Sequence, residues 1–267
     1  MAWGALCAHG ACVPAGNSTP STTDSGATGN AAVPVAAIKQ APNVMTAVFE
    51  DSFERPGMPA PPAPVQAGDD TPASAEAGQS AQNGGLGPDW LQVGSGVWHI
   101  EKGHLCGEGA HNHGVWLKRV LPINARIEFD ATSDSPDGDI KAEAWGDGQS
   151  GATSLSYTNA TSYLTDLGGW KNTFHVLARI NEHGTDRKEI KIDPTSDDPR
   201  EKPVTRGQSY HFKIERKDGK TVRWSVDGVE YLNFADGQPL VGIGHDHFGF
   251  NDWEVKVCFD NVKVTPL

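Results

Sequence analysis

The sequence has little positive charge, few sulfur-containing residues and no long apolar run. Its 267 residues include 22 Lys and Arg against 34 Asp and Glu, which gives a net charge of −12. We expect no nucleic-acid partner, because nothing basic is concentrated enough to neutralise phosphates. No run approaches the ~20 apolar residues that a membrane-spanning helix needs, so we also expect no transmembrane segment.

Motifs of nucleotide, redox and peptidase chemistry are missing as well. The sequence contains no Walker-type loop, no nucleophile elbow, no Cys-x-x-Cys pair and no His-Glu-x-x-His helix. Each of these motifs places reactive groups or phosphate-binding amides at a fixed spacing. The sequence therefore gives no support to these three kinds of chemistry.

Low-complexity sequence occupies two stretches of the chain. Residues 1–43 consist mainly of Ala, Gly, Ser, Thr and Pro, and residues 56–85 have a similar composition. Such segments cannot bury enough apolar surface to offset their ordering entropy, so we predict that both are disordered.

The segment between the two stretches has the aromatic and β-branched content of a strand. We predict that Ala47–Glu54 is the first strand of a domain covering 44–267, and that residues 56–85 are an insertion in the following loop. An insertion of this size is tolerable because loop length costs free energy only logarithmically. The alternative is a domain that begins at Leu86.

From Leu86 onward, short alternating runs separated by turn signals predict β-strands. Asp218-Gly219 and Asp227-Gly228 each lie between runs of period two, which is a strong hairpin signal. In the last strand the apolar parity changes at Asp260-Asn261, which predicts a β-bulge. About a dozen short strands without a convincing helix predict an all-β domain, either a sandwich or a barrel.

The four cysteines bear on the cellular compartment. Cys106 and Cys258 lie off the apolar faces of their strands and would form a disulfide if those strands are neighbours; the alternative is two separate thiols. Cys7 and Cys12 precede the first low-complexity stretch, as in a bacterial lipoprotein with an acylated cysteine and a tether, although no basic segment comes before them. We expect export to the cell envelope or medium, with or without a lipid anchor.

Four segments resemble a known family. FEDSFER, GPDW with GVWHIEKGHL, TDLGGWKNTFHVLAR and CFDNVKV are similar to segments of concanavalin A-like lectin/glucanase domains, particularly the bacterial uncharacterised and 3-keto-disaccharide-hydrolase-like branches. The resemblance covers 44–267 without the insertion. It implies a two-sheet jelly-roll β-sandwich, a fold that hosts lectins, hydrolases, lyases and structural modules and so does not settle the function.

Tryptophans flanked by polar residues are the main candidates for ligand contact. Trp145, Trp170 and Trp253 have Gly, Asp, Asn or Lys as neighbours, and such indoles can stack on a sugar ring. We predict that they form a glycan-binding surface on the concave sheet, where the hydrogen-bonding partners are Asn172, Asn251 and Asp252. The other interpretation is that they cover the core.

Carboxylate pairs are the candidates for glycoside cleavage, which needs two acids beside the scissile bond. The segment Glu128–Ser133 keeps two acids of the laminarinase-type motif Glu-x-Asp-x-x-Glu and lacks the last one. Glu143 and Asp166 are the alternative catalytic pair. The competing interpretation is that all of these are solvated acids on strand faces.

Two groups of residues could bind metal ions. The His-x-His pairs His111/His113 and His245/His247 could each present two imidazoles to one transition-metal ion. Alternatively, histidines occur by chance in polar loops. The acids of the first and last strands, Glu50 or Asp51 with Asp260, could hold a structural calcium ion; the alternative is a carboxylate that accepts backbone N–H groups at the bulge.

Three functions are compatible with these observations. The leading prediction is an exported, monomeric, non-catalytic β-sandwich that binds a neutral poly- or oligosaccharide, because an acidic protein repels acidic polymers. The second is a glycoside hydrolase or lyase that acts in the same groove. The third is a structural or adhesion module without a small ligand, which requires the three tryptophans to be buried.

Overall fold

The computed structural model describes residues 39, 41–55, 85–94, 97–153 and 156–267. The disorder predicted for the two low-complexity stretches, and the roles considered for Cys7 and Cys12, concern residues that lie almost wholly outside these ranges.

Within the described residues, fifteen strands form two antiparallel sheets that pack as a β-sandwich. The strands are β1 (Phe49–Asp51), β2 (Trp90–Gln92), β3 (His99–Glu101), β4 (His104–Gly107), β5 (Val115–Leu117), β6 (Ala125–Ser133), β7 (Ile140–Gly146), β8 (Tyr163–Gly168), β9 (Phe174–Arg179), β10 (Lys188–Lys191), β11 (Ser209–Arg216), β12 (Thr221–Val226), β13 (Val229–Ala235), β14 (His247–Asn251) and β15 (Val257–Pro266). The eight-stranded sheet has the order β13-β12-β11-β6-β15-β4-β3, with β1 also paired to β15, and the seven-stranded sheet has the order β10-β9-β8-β7-β14-β5-β2. The predicted two-sheet, all-β fold is confirmed.

One hydrophobic core fills the space between the sheets. Phe129 on β6 illustrates it, because its ring centroid lies 4.8 Å from that of Phe212 in the same sheet and 5.0 Å from that of Phe250 in the opposite sheet. All three rings are fully or almost fully buried. Burial of a side chain of this size contributes about 1.5–3 kcal/mol, so the sandwich is stabilised mainly by the contact of these two inner faces.

The local turn predictions agree with the structure. Asp227-Gly228 connects β12 to β13 with φ of 49° and 79°, as a tight hairpin turn requires, and Asp218-Gly219 lies between β11 and β12. The register of β15 against β6 shifts between Asp260 and Lys263, so the predicted bulge is present. β1 is shorter than the predicted strand and pairs with β15.

Helical structure in the described residues is limited to single turns at Gly169–Asn172 and Pro199–Glu201. None of the helices in this part of the chain is long and apolar enough to cross a membrane.

Both faces of the seven-stranded sheet are covered, the inner face by the core and the outer face by loops. On β7, Ile140, Ala142 and Ala144 belong to the core, whereas Lys141 and Glu143 alternate with them and point to the outer face. All seven residues of β7 are nevertheless buried. Loops that pack over the outer face therefore bury polar side chains there, and the candidate site lies among these loops.

Candidate functional site

A groove of about 450 Å³ lies over the outer face of the seven-stranded sheet. The loops that follow β8, β9 and β14 contribute to it, together with the segment before β7. It combines two indoles with a cluster of charged groups. Its lining consists of Asn112, Asp137, Asp139, Lys141, Ser156, Asp166, Trp170, Lys171, Glu182, His183, Trp253, Glu254 and Val255.

Trp170 is held half-buried by an unusual turn. Trp170, Lys171 and Asn172 have φ of 51°, 58° and 56°, so three consecutive residues other than glycine adopt the left-handed conformation. The Asn172 side chain fixes the turn: its Nδ2 donates to the Pro136 and Val204 carbonyls, and its Oδ1 accepts from the Val204 amide at 2.8 Å. Left-handed backbone is costly for such residues, and strain of this kind is concentrated at functional sites.

The surroundings of Trp170 leave part of its ring available. The Arg187 guanidinium lies 4.6 Å from the ring centroid, and the His183 ring packs edge-on at 5.4 Å. Trp170 remains half-exposed in the groove lining. A flat ligand can therefore contact an indole that its neighbours already hold in place.

Trp253 is the second half-exposed indole. Its ring centroid is 4.9 Å from that of His111, and its carbonyl accepts from the His111 amide at 3.0 Å. The preceding carbonyl, of Asp252, accepts from the Asn112 amide at 2.7 Å. This pairing of the segment after β14 with the segment before β5 determines the position of Trp253.

Lys141 lies at the centre of the charged cluster. Its Nζ is 3.0 Å from Glu182 Oε1 and 3.3 Å from Asp139 Oδ1, and it is 3.5 Å from Asn112 Oδ1. Burial alone would lower the pKa of Lys141, but the surrounding carboxylates outweigh burial and raise it above its usual range. The carboxylates therefore favour the charged form of Lys141, which neutralises part of the cluster.

Asp166 lies on β8 directly opposite Lys141 on β7. Its side chain has no exposed surface, and neither carboxylate oxygen accepts a hydrogen bond from a described residue. Burial, and next the charge of Asp139, raise the pKa of Asp166 well above its usual range. Gly169 makes room for this carboxylate, because a Cβ at that position would overlap with Asp166 Oδ2.

Glu143 lies two residues after Lys141 but outside the groove. Tyr157 Oη and Ser162 Oγ donate to its carboxylate, and Asn251 Nδ2 donates at 2.7 Å. Burial raises the pKa of Glu143 to about 7 in spite of these hydrogen bonds. Because Glu143 is fully buried beneath Tyr157, it cannot contact a ligand in this structure.

The structure contradicts the prediction that Trp145 is an exposed platform. Trp145 has no exposed surface, its Nε1 donates to the Pro122 carbonyl at 3.1 Å, and Arg216 lies 3.9 Å from its ring centroid. The reason is a bulge: β14 pairs His247 with Gly146 and Phe248 with Ala144, so Trp145, with φ of 56°, has no partner and turns into the core.

The predicted polar partners are placed differently from the expectation. Asn172 uses its amide to fix the turn, as described above, and Asn251 and Asp252 are fully buried. Asn251 binds Glu143, while Asp252 Oδ2 accepts from the Ala110 amide at 3.0 Å. Burial raises the pKa of Asp252 to about 7. These residues shape the loops around the groove instead of facing a ligand.

The partial laminarinase-type motif lies elsewhere. Glu128 and Asp130 are on β6 of the eight-stranded sheet, whereas the groove lies on the other sheet. Asp130 Oδ1 is 2.8 Å from His211 Nδ1. These two acids therefore do not join Glu143 or Asp166.

The structure does not bring the predicted metal ligands together. In the described residues, no group of three or more His, Cys, Asp or Glu side chains has an arrangement that could hold a metal ion. The Nδ1 atoms of three of the four histidines each contact a different oxygen atom, and the His111 ring packs on Trp253. These contacts are His113 with Ala110 O, His245 with Thr161 O and His247 with Asp246 Oδ1.

The three acids considered for calcium also have other partners. Glu50 Oε1 is 2.7 Å from Lys263 Nζ. Asp51 accepts from Arg55 at 2.8 Å and from Trp90 Nε1, and Asp260 lies 3.8 Å from His104.

Cys106 and Cys258 form a disulfide that links β4 to β15. The two residues are register partners on neighbouring strands, which is the condition that the sequence could not supply. The bond lies in the eight-stranded sheet and takes no part in the groove.

Two important residues of the site, Lys141 and Glu182, were missed from the sequence. Lys141 carried a usable signal, because it shares its parity with Glu143 and is opposite in parity to Ile140, Ala142 and Ala144. Glu182 carried none, since its approach to Lys141 depends on how the loop after β9 folds back.

A second groove of about 490 Å³ has a different character. Its lining includes Pro194, Pro199, Pro203, Tyr210 and Tyr231 but neither an indole nor a buried ion pair. We therefore regard the groove with Trp170 and Trp253 as the candidate site.

No protein-family model matches this chain, and no curated protein matches it either. Several solved structures are similar to this chain. One is the carbohydrate-binding module CBM66 from Bacillus subtilis, with 15% identity, 66% of this chain and 96% of that chain covered, and a TM-score of 0.48. Another is the alginate lyase Aly36B, with 9% identity, coverage of 83% and 97%, and a TM-score of 0.47.

A third is a structure from work on endo-acting O-glycanases of the human gut microbiota that initiate mucin breakdown. It has 15% identity, coverage of 82% and 98%, and a TM-score of 0.48. At these identities and TM-scores the similarity supports no conclusion about the function of this chain.

Proposed function

We propose that this chain is a carbohydrate-recognition module that binds a glycan without acidic groups in the groove with Trp170 and Trp253. The observation that carries the proposal is the pair of half-exposed indoles in one groove of about 450 Å³. This volume falls in the usual range for ligand sites, which combine apolar walls with a few placed polar groups.

The indoles supply the apolar part of such a site. A pyranose presents C–H groups on its faces, which stack on an aromatic plane, and hydroxyls at its edge, which need hydrogen-bond partners. Asp137 and Asp139 are half-buried in the lining, and Glu254 is exposed there. They can accept hydrogen bonds from sugar hydroxyls.

The charge of the groove defines the class of glycan. Five carboxyl groups line it, namely Asp137, Asp139, Asp166, Glu182 and Glu254. Lys141 and Lys171 are the lysines, and Lys141 is already paired with two of the acids. Uronate or sulfate groups would therefore be repelled.

A second candidate function is glycoside hydrolysis, and the state of Asp166 favours it. A buried carboxyl group with a raised pKa is the usual form of a general acid. In this structure, however, Asp166 has no exposed surface. It could protonate a glycosidic oxygen only if the Gly169–Asn172 turn moved, so we place recognition first.

We also propose that the protein is exported. The Cys106–Cys258 disulfide supports this, because disulfides persist in oxidising compartments. Lipid anchoring, a monomeric state and membership of the 3-keto-disaccharide-hydrolase-like branch remain predictions from the sequence.

The proposal is tested by affinity gel electrophoresis and a glycan array. We expect retention on at least one glycan, and we expect Trp170→Ala and Trp253→Ala each to weaken it by about tenfold or more, as for aromatic residues at the centre of a binding site. Trp145→Phe is the matched control: it alters a core indole and should lower stability while leaving retention unchanged. Absence of retention on every polysaccharide, or full retention by the Trp170/Trp253 double variant, would refute the proposal.

A further inference from the structure

The acidic cluster under the groove contains a carboxylate without a donor. Asp166 is fully buried, belongs to the groove lining and accepts no hydrogen bond from a described residue. Lys141 does not supply the missing donor, because the three N–H groups of its Nζ face Asp139, Glu182 and Asn112. When Asp166 is ionised, the site thus has more acceptor oxygens than donors.

A ligand that suits this imbalance brings both a positive charge and hydrogen-bond donors. An ammonium group has three donors and no acceptor, and it would be attracted by the surplus of carboxylates. A hydroxyl group brings one donor and no charge, and an N-acetyl group adds a carbonyl acceptor that meets further acceptors here.

We infer that the sugar residue in this groove carries a free protonated amino group, so that amino sugars are the preferred ligands. This inference rests on the proposed function and narrows its ligand class. The indoles contact the sugar ring, and the carboxylates of Asp139 and Asp137 on the groove side bind the ammonium. The buried carboxylate of Asp166 adds to the attraction through its charge, without contacting the ligand.

A change in protonation should accompany this binding. Burial and the charges of Asp139 and Glu182 raise the pKa of Asp166, whereas Lys141 and Arg187 act in the opposite direction. An ammonium in the groove would add to the cations and favour ionised Asp166. Binding of an amino sugar should therefore release protons to the buffer, and binding of its N-acetylated form should not.

The test is isothermal titration calorimetry of the full chain with oligomers of glucosamine and of galactosamine and with their N-acetylated forms, in a mildly acidic buffer in which the amine is protonated. We expect the amino forms to bind at least about tenfold more tightly. Titration in buffers of different ionisation enthalpy should show proton release for the amino forms alone.

Variants distinguish binding in the groove from non-specific electrostatic attraction to the acidic protein. Asp139→Asn should remove most of the preference, and Asp166→Asn should abolish the proton release. Asp193→Asn removes an equal charge at an exposed site outside the groove lining and should change neither quantity. The melting temperature of each variant shows whether it is folded.

The outcomes distinguish this inference from the proposed function. If neutral glycans bind in a Trp170-dependent way but amino forms bind no better, the inference is wrong and glycan recognition stands. Equal losses in Asp139→Asn and Asp193→Asn would also overturn it, because the attraction would then be non-specific. If no saccharide of either kind binds, the proposed function itself fails.

Discussion

Glu143 shows how an acid on the outer face of a sheet can be buried and retain its proton. It alternates with core residues on β7, and an open sheet would leave its carboxylate in water. Here Tyr157 and Ser162 cover it and donate to it, and burial raises its pKa to about 7. Between pH 4.5, near the usual pKa, and pH 7, the folded protein therefore keeps a proton that the unfolded chain releases.

Because the folded protein retains this proton, we predict that the effect of Glu143→Gln on the free energy of unfolding depends on pH. The contribution of Glu143 to the free energy of unfolding is greatest below its unfolded pKa and falls as the pH rises through the folded pKa, by about 3 kcal/mol. A glutamine side chain cannot ionise, so the variant should gain this amount relative to wild type between about pH 4.5 and 8. Urea denaturation at a series of pH values measures the difference.

Asp236→Asn is the control for this series. Although burial opposes it, hydrogen bonds from Tyr163 and Arg179 lower the pKa of Asp236. Its difference from wild type should therefore change only in acid, below the usual pKa of an aspartate, and in the opposite direction. Stability curves of wild type and Glu143→Gln that stay parallel across the range would contradict the assignment.

Neighbouring residues in the sequence could not separate exposed from buried indoles. Trp145 and Trp170 both have polar neighbours, yet Trp145 is fully buried and Trp170 is half-exposed. The difference comes from the register of β14 against β7, which leaves Trp145 as the extra residue of a bulge. Register between strands that are distant in sequence is a property of the whole sheet, so alternation within one strand could not reveal it.

At the scale of elements, the Gly169–Asn172 turn connects the fold to the site. It holds Trp170 in the groove, and Gly169 leaves space for the Asp166 carboxylate. The Asn172 side chain keeps the turn in its left-handed form through contacts with Pro136 and Val204. The surrounding structure thus maintains a backbone conformation that the residues would not adopt by themselves.

Substitution of Lys171 measures the strain in this turn. Lys171 is exposed with φ of 58°, and glycine adopts this conformation without a steric penalty. Lys171→Gly should raise the free energy of unfolding by about 0.5–1 kcal/mol, which remains after the entropic cost of glycine in the unfolded chain. Chemical denaturation provides the measurement.

Lys191→Gly is the matched control, because Lys191 is an exposed lysine on β10 without a positive φ. It should destabilise the protein by about 0.5–1 kcal/mol. Equal destabilisation by both substitutions would show that the turn is not strained in solution.

Two turns and one bulge could be predicted from the sequence, because neighbouring residues determine them. The hairpin turns at Asp218-Gly219 and Asp227-Gly228 and the bulge at Asp260-Asn261 follow from turn residues and from a change of parity. The order of the strands was not predictable, since β6 pairs with β11 and β15, which lie far away in the sequence. The groove was not predictable either, because the loops after β8, β9 and β14 come together only when the strand order is established.

For the molecule as a whole, contacts around Asp51 connect the first strand to the rest of the sandwich. Asp51 Oδ2 accepts from Trp90 Nε1 at 2.8 Å, and the Arg55 guanidinium binds both Asp51 and the Leu86 carbonyl, the latter at 2.6 Å. These contacts bridge the two sides of residues 56–84. The described residues on either side therefore already meet without that segment.

Replacement of residues 56–84 by a loop of about six Gly and Ser residues should preserve both fold and function. About 30 residues would be reduced to six, which is slightly more than two halvings, and each halving lowers the cost of loop closure by about 0.6 kcal/mol. We expect a free energy of unfolding higher by about 1 kcal/mol and unchanged glycan retention, measured by urea denaturation and affinity electrophoresis. A Gly/Ser segment of the original length is the control and should behave as wild type. Loss of retention in both chains with an intact fold would mean that the natural segment takes part in binding, and loss of the fold would mean that the domain requires it.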